Sequence, residues 1–184
     1  MGRQRGRRTL QPHRRRQRCR RLCPTESRRN RLTTGETVAA FWGEFVSATG
    51  TAGTYEQWAF GDENNPRLAD ELAGLVLRGP KRATTDLFEL LEKEGEPLPV
   101  VGSHSVVLDS RGEPVCVILT TSVEVRRFGD VDEEYAWTEG EGDRSLDYWR
   151  RAHSGYWASI GESVDEDTKV VLERFDKIWP PDEP

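Results

Sequence analysis

The sequence predicts an α+β fold, a small curled sheet or barrel with helices packed around it. Three observations carry this reading. Helical and strand patterns interrupt one another without the regular βαβ rhythm of a parallel sheet. Apolar stripes of helical period dominate before Pro97, and two-residue alternation takes over after it. Six Trp and six Phe enrich a hydrophobic share of only 35%, and a body of about 150 residues buries roughly two thirds of its unfolded surface, enough for one core.

Each element has its own signal. Thr33 or Thr34 can cap a first helix, with Glu36 and Thr37 in the opening turn. Val38, Phe41, Trp42 and Phe45 then fall at i, i+3, i+4 and i+7, and Gly50 and Gly53 end the helix. Tyr55, Trp58 and Phe60 lead into a loop at Gly61-Asp62 and Asn64-Asn65-Pro66. A second helix runs from about Pro66 to Arg78, with Leu68, Leu72, Leu75 and Val76 inward and Gly79 as its stop. Lys81 to Thr85 reads as a short extended piece, and Leu87, Leu90 and Leu91 mark a third helix ending at Gly95. Strands over Ser105 to Leu108 and Val115 to Thr121 flank a turn at Asp109-Ser110-Arg111-Gly112. Alternation of Val123 and Val125 with charged residues can carry the second strand to Phe128. Asp130 or Asp132 can cap a short helix over Glu133 to Trp137, and Ser145 a further one with Leu146, Trp149, Ala152 and His153 on one side. Lys169 to Trp179 closes the chain as a strand, stopped by Pro180 and Pro181.

Charge divides the chain in two. Residues 1 to 32 hold 13 arginines, no lysine and one acid, Glu26, a net +12, whereas residues 33 to 184 hold 14 basic and 31 acidic residues, a net −17. The first segment has no hydrophobic period, so we expect a disordered tail before one domain at 33 to 184. Three readings of it stand: a nucleic-acid arm whose affinity falls with salt, a small metal site at His13, Cys19 and Cys23, or the product of a start codon assigned too early. Such a tail buries little apolar surface. Removing residues 1 to 32 is therefore expected to shift the melting temperature by less than about 5 °C, a scale of about 1 kcal/mol or a little more; differential scanning fluorimetry checks it. No run approaches the roughly 20 apolar residues of a membrane span, and no apolar run follows the basic N-terminus as in a secretory signal. Three cysteines cannot close a disulfide framework, which points to a reducing, cytoplasmic setting.

Three constellations can carry chemistry. The first is Gly79-Pro80-Lys81-Arg82-Ala83-Thr84-Thr85, a glycine turn opening an extended segment. Walker spacing is absent and the order is helix then strand, which excludes a nucleotide-hydrolysing loop; a solvated turn is the structural alternative. The second is Glu139-Gly140-Glu141-Gly142-Asp143-Arg144-Ser145. Its three acids repel one another, so they either share a proton, bind a divalent ion, orient a basic partner, or form a flexible loop. The EF-hand pattern is missing. The third is aromatic: Trp58, Phe60, Trp137, Trp149, Tyr156 and Trp157, which can stack bases but at helical spacing read mainly as core. His153 reads as a helix-face residue or a supporting hydrogen-bond group, and Cys116 as a small buried hydrophobe.

In this order the pieces WAFGD (58–62), ADELAGLVLRGPKRATT (69–85), LPVVGSHSVVL (98–108), VCVILTT (115–121), FGDV (128–131) and EGEGDRSLDYWRRAH (139–153) resemble the ASCH domain superfamily. The likeness spans about residues 36 to 179. The Lys81 segment is similar to the superfamily's G-x-K-x-x-T signature, and the EGEGDRSL stretch resembles one bacterial subgroup. The resemblance implies a PUA-like small β-barrel of five or six strands with surrounding helices, and a cleft holding the lysine motif. It implies an RNA-binding protein, or a hydrolase of ribonuclease or acylated-cytidine amidohydrolase type. Carried over, the catalytic set is Lys81, Thr84 and Glu139, with Glu141 as the alternative carboxylate. Gly79, Arg82, Glu141, Asp143, Arg144, Ser145 and Trp58 are the implied substrate-binding residues. RNA or a modified nucleoside is the implied partner, with no membrane and no obligate protein partner. No cofactor or metal ligand is implied, a divalent metal being the one optional addition. A threonine hydroxyl is a weak nucleophile and needs a base within reach; for RNA cleavage the lysine would stabilise a phosphorane while a glutamate acts as base or holds a metal. A non-catalytic RNA-binding module and a small-molecule amidohydrolase are the competing expectations, and the acidic body disfavours a broad phosphate-binding face.

Overall fold

The computed structural model describes residues 34–61 and 64–182. In chain order they form α1 (Thr34–Thr49), β1 (Tyr55–Ala59), α2 (Pro66–Arg78), β2 (Ala83–Leu87), α3 (Phe88–Glu94), β3 (His104–Leu108), β4 (Pro114–Arg127), α4 (Glu133–Glu139), α5 (Leu146–Ser159) and β5 (Lys169–Trp179). The expectations for residues 1 to 32, including the metal reading at His13, Cys19 and Cys23, lie outside the described residues.

The helices start where side chains can satisfy their first N–H groups. The Asn65 side chain accepts from Leu68 N at the head of α2, where Pro66 needs no donor partner. Asp132 accepts from Tyr135 N at 2.8 Å and Ser145 from Tyr148 N at 3.1 Å, capping α4 and α5. The α1 stripe buries as its spacing requires: Val38 and Phe45 are fully or almost fully covered, a burial worth about 1.5–3 kcal/mol each.

One sheet runs in the order β1-β3-β4-β5-β2 and curls into a half-barrel. β1 pairs with β3 in parallel, and the other pairs are antiparallel. β4 is the spine: its beginning pairs with β3, and nearly its whole length pairs with β5, with a register shift between Thr120 and Ser122. Alternation along β3 and β4 feeds two layers of core. Val106, Leu108 and Val117 pack under α1 with Trp42 and Phe45. Val107, Cys116 and Ile118 pack on the other face under α2 with Leu72 and Val76. A third cluster joins Phe128, Trp149, Trp157, Val170 and Leu172 beneath α5.

The strand number falls at the lower end of the expected five or six. The sheet stops short of a closed barrel, because β1 and β2 end it without pairing to each other. β1 had no signal of its own: all five of its residues are half-buried, so no alternation marks it. No helix among the described residues is long and apolar enough to cross a membrane.

Candidate functional site

A cavity of about 210 Å³ opens between the two ends of the sheet. Trp58 of β1 and Phe60 just past it form one wall, their rings packed edge to face at 4.8 Å. Thr84, Thr85 and Asp86 of β2 form the opposite wall. α5 adds Tyr148, His153 and Tyr156, and Leu68 and Leu72 of α2 supply apolar cover.

At the base lies a buried charge cluster. Lys81 is wholly buried, and its Nζ stands 2.5 Å from Glu141 Oε1, 3.5 Å from Glu139 Oε1 and 5.2 Å from the centre of the Phe60 ring. Backbone pairing brings these distant residues together. The Arg82 N–H donates to Thr138 O at 2.9 Å, and the Phe175 N–H to Arg82 O at 2.9 Å, so the Lys81 segment is tied to both α4 and β5. Gly140 closes α4 at φ +76, and a Cβ there would lie 2.7 Å from Lys81 N. Only a residue without a side chain lets the two backbones approach so closely.

The two glutamates play different parts. Glu139 is saturated: Oε2 accepts from the Thr85 hydroxyl at 3.0 Å and from the Trp149 indole N–H, while Oε1 faces Lys81 and His153 Nε2 at 3.2 Å. Burial alone would raise its carboxyl, but the charges of His153 and Lys81 and the hydrogen bonds from His153 and Trp149 outweigh burial and hold it down at about 2. Such a carboxylate is an anchor and a poor base. Glu141 lines the cavity, is 16% exposed, and has Lys81 as its ion-pair partner.

The strand register also separates the threonines. Thr85 is buried and bonds both Glu139 and the Tyr135 hydroxyl, which in turn donates to the Thr84 carbonyl at 2.6 Å. Thr84 is half-buried and its residue lines the cavity. Of the seven expected substrate-binding residues, Trp58 and Glu141 line the cavity. The other five are engaged in local architecture. Gly79 donates its N–H to Leu75 O, and a Cβ there would meet that same oxygen at 3.0 Å. Arg82 turns back onto the carbonyls of Val76, Gly79 and Lys81. Asp143 accepts from Ser145 N and Oγ, and Ser145 caps α5. Arg144, at φ 64, donates to the Trp137 carbonyl and lies 3.6 Å over the Trp137 ring.

Two contributors carried little weight in the sequence: Thr85, and His153, whose ring stacks on Trp149 at 4.4 Å. Their sequence signals were helical and strand spacing and a place in the stretches that carry the family likeness. Cys116 is buried in β4, and burial pushes its thiol up to about 12, so it is not a nucleophile. Among the described residues no group of three His, Cys, Asp or Glu side chains is placed to hold a metal ion.

A curled half-barrel with a G-x-K-x-x-T lysine at the base of its open side belongs to the PUA-like class of small α+β barrels. The ASCH domain family model matches residues 56–179, well over half of the chain. The chain belongs to the ASCH domain family. A crystal structure of an ASCH domain from Lactobacillus crispatus is similar to it, with 34% identity and a TM-score of 0.67 over 77% of this chain and 94% of that one. A crystal structure of a protein from Enterococcus faecalis is also similar, with 27% identity and a TM-score of 0.66 over 77% of this chain and 88% of that one. No curated protein matches the chain.

Proposed function

We propose that this ASCH protein, one of the EGEGDRSL subgroup, takes a modified nucleoside into the cavity and hydrolyses an acyl amide on its base. The observation that carries the reading is the charge of the lining. Asp86, Glu96, Glu139, Glu141 and Glu173 line the cavity, and the cations at hand, Lys81 and His153, are already engaged by Glu139 and Glu141. Such a pocket repels a phosphodiester and suits an uncharged ring between aromatic walls. This favours the amidohydrolase type over the ribonuclease type.

In this reading the Thr84 hydroxyl adds to the acyl carbon and its proton passes to Glu141. Glu141 then returns that proton to the departing exocyclic amine as the carbon–nitrogen bond breaks. Water cleaves the resulting threonine ester, releasing the carboxylic acid and restoring the hydroxyl. Lys81 holds Glu141 in place through their ion pair, while Glu139 anchors Lys81 from below. The free, buried thiol of Cys116 agrees with a cytoplasmic setting.

The competing reading is a non-catalytic module that binds RNA or a nucleoside. What favours it is that Lys81 has no exposed surface and is held by two carboxylates. Incubation of the full chain with N-acylated nucleosides and with RNA separates the two, with products resolved by liquid chromatography. We expect deacylation of a nucleoside, lowered by about 10²–10⁴ in Glu141→Gln and abolished in Thr84→Val. Binding without turnover selects the module. Turnover of RNA alone, or full activity in Thr84→Val, overturns the proposal.

A further inference from the structure

His153 has two hydrogen-bond partners, and both are acceptors. Its Nδ1 lies 2.9 Å from the Trp149 carbonyl oxygen. A carbonyl only accepts, so Nδ1 carries a proton. Its Nε2 lies 3.2 Å from Glu139 Oε1. That carboxyl already receives the Trp149 indole N–H, the Thr85 hydroxyl and the facing charge of Lys81. A carboxyl ringed by donors is ionised and accepts only, so Nε2 carries a proton as well. A neutral imidazole has one N–H; a ring that donates from both nitrogens is an imidazolium. The ring cannot easily turn away, being 11% exposed, stacked on Trp149 at 4.4 Å and flanked by the tilted Trp157 ring at 5.3 Å.

We propose that His153 is a fixed imidazolium that positions Glu139, and through it Lys81, so that ligand binding in the cavity weakens as His153 loses its proton. With that proton the floor is balanced: Lys81 and His153 against Glu139 and Glu141. Without it one negative charge is left over, and the Nε2 lone pair faces a carboxylate oxygen at 3.2 Å. The groups facing His153 come from every packed element. Glu139 at the end of α4 and Glu141 after it favour the charged ring, the Trp149 carbonyl of α5 does the same, and Lys81 before β2 opposes it. Burial taken alone disfavours the charge; the two glutamates and the hydrogen bonds outweigh it, and the net direction is upward. A raised histidine contributes stability that is complete below its ordinary value near 6.5 and is lost as pH rises through its folded value.

The charge state can be read directly, by long-range proton–nitrogen correlation on the uniformly labelled full chain between pH 5.5 and 9. His153→Gln identifies the His153 signal among the three histidines. Expected are two protonated ring nitrogens at pH 6.5 and a midpoint above the ordinary histidine value, lowered in Glu139→Gln and in Glu141→Gln. A single-proton neutral ring at pH 6.5 overturns the proposal. The positioning arm rests on the nucleoside reading and uses the same acylated nucleosides. Affinity of the wild type is expected to fall about tenfold or more across the His153 transition, and His153→Gln, which keeps one N–H for Glu139, to give a weaker but pH-flat profile. A wild-type affinity unchanged across that transition overturns the positioning role. If no nucleoside binds at any pH, the nucleoside reading fails, and the nitrogen spectra still decide whether His153 is the imidazolium described.

Discussion

Replacing Glu139 by Ala is expected to lower the melting temperature by about 10 °C, more than any change to the protein's surface. The carboxylate is buried and answers four donors at once: Lys81, His153, Trp149 and Thr85. Its loss leaves Lys81 with Glu141 alone and His153 with no counter-charge in contact. Breaking a buried ion pair from one side costs about 3–5 kcal/mol, and each kcal/mol is worth about 2–4 °C for a domain of this size. The pH dependence carries the sign of the effect. A carboxyl held at about 2 contributes stability that is present above its ordinary value of 4.5 and is lost as pH falls through its folded value. The gap between wild type and Glu139→Ala should therefore be full at pH 6 and narrow below pH 4.5. Thermal melts of both proteins across that range measure it, and a gap that widens in acid would refute the assignment of Glu139 as the ionised anchor.

Gly140→Ala is expected to cost about 2–5 kcal/mol and to remove whatever activity the cavity has. The added methyl would sit 2.7 Å from Lys81 N and from the Pro80 carbonyl carbon, and 2.8 Å from Lys81 Cα, all of them backbone atoms. No side chain can swing aside to make room. Crowding a packed contact costs about 1–3 kcal/mol, and the left-handed backbone at φ +76 adds about 1–2 kcal/mol for a residue with a Cβ. Relief comes only by separating the Lys81 strand from the acidic turn, which pulls the ammonium off Glu139 and Glu141. Gly43→Ala is the control: it lies in α1 with nothing within 4 Å of its added carbon, and should be neutral or stabilising by about 0.5–1 kcal/mol. Chemical denaturation of the two variants side by side tests the contrast.

What could be read from the residues follows the range of the forces involved. α1 and α2 were legible because Val38, Trp42 and Phe45, and Leu72 and Val76, bury one face at helical spacing. The caps at Asp132 and Ser145 were legible because a cap is a contact between neighbours in sequence. β1 was not, since it lies at the sheet's end with every residue half-buried. In the acidic turn, Asp143, Arg144 and Ser145 are substrate-binding residues by family likeness; within the fold Asp143 and Ser145 cap α5 and Arg144 clamps Trp137. The pairing of Lys81 with Glu139 and Glu141 spans about sixty residues and was reached through family likeness alone. His153 was legible as a helix-face or supporting hydrogen-bond group but not as the partner of Glu139, which sits on a different helix, and no spacing rule reaches across the turn between α4 and α5.

The two sheet ends that flank the cavity have a bearing on how such a protein diversifies. Within the sheet, spacing is fixed by hydrogen-bonded neighbours about 4.7–4.9 Å apart. Across the seam between β1 and β2 no ladder sets the gap. Its width is decided by what is wedged into it: Leu68 and Leu72 from α2, and Tyr148, Ala152 and Tyr156 from α5. Pocket size is thus a property of exchangeable side chains on two helices, uncoupled from the strand registry that keeps the domain folded. Lineages can trade a tyrosine for an alanine at the rim and admit a bulkier guest, while the lysine anchorage beneath stays as it was.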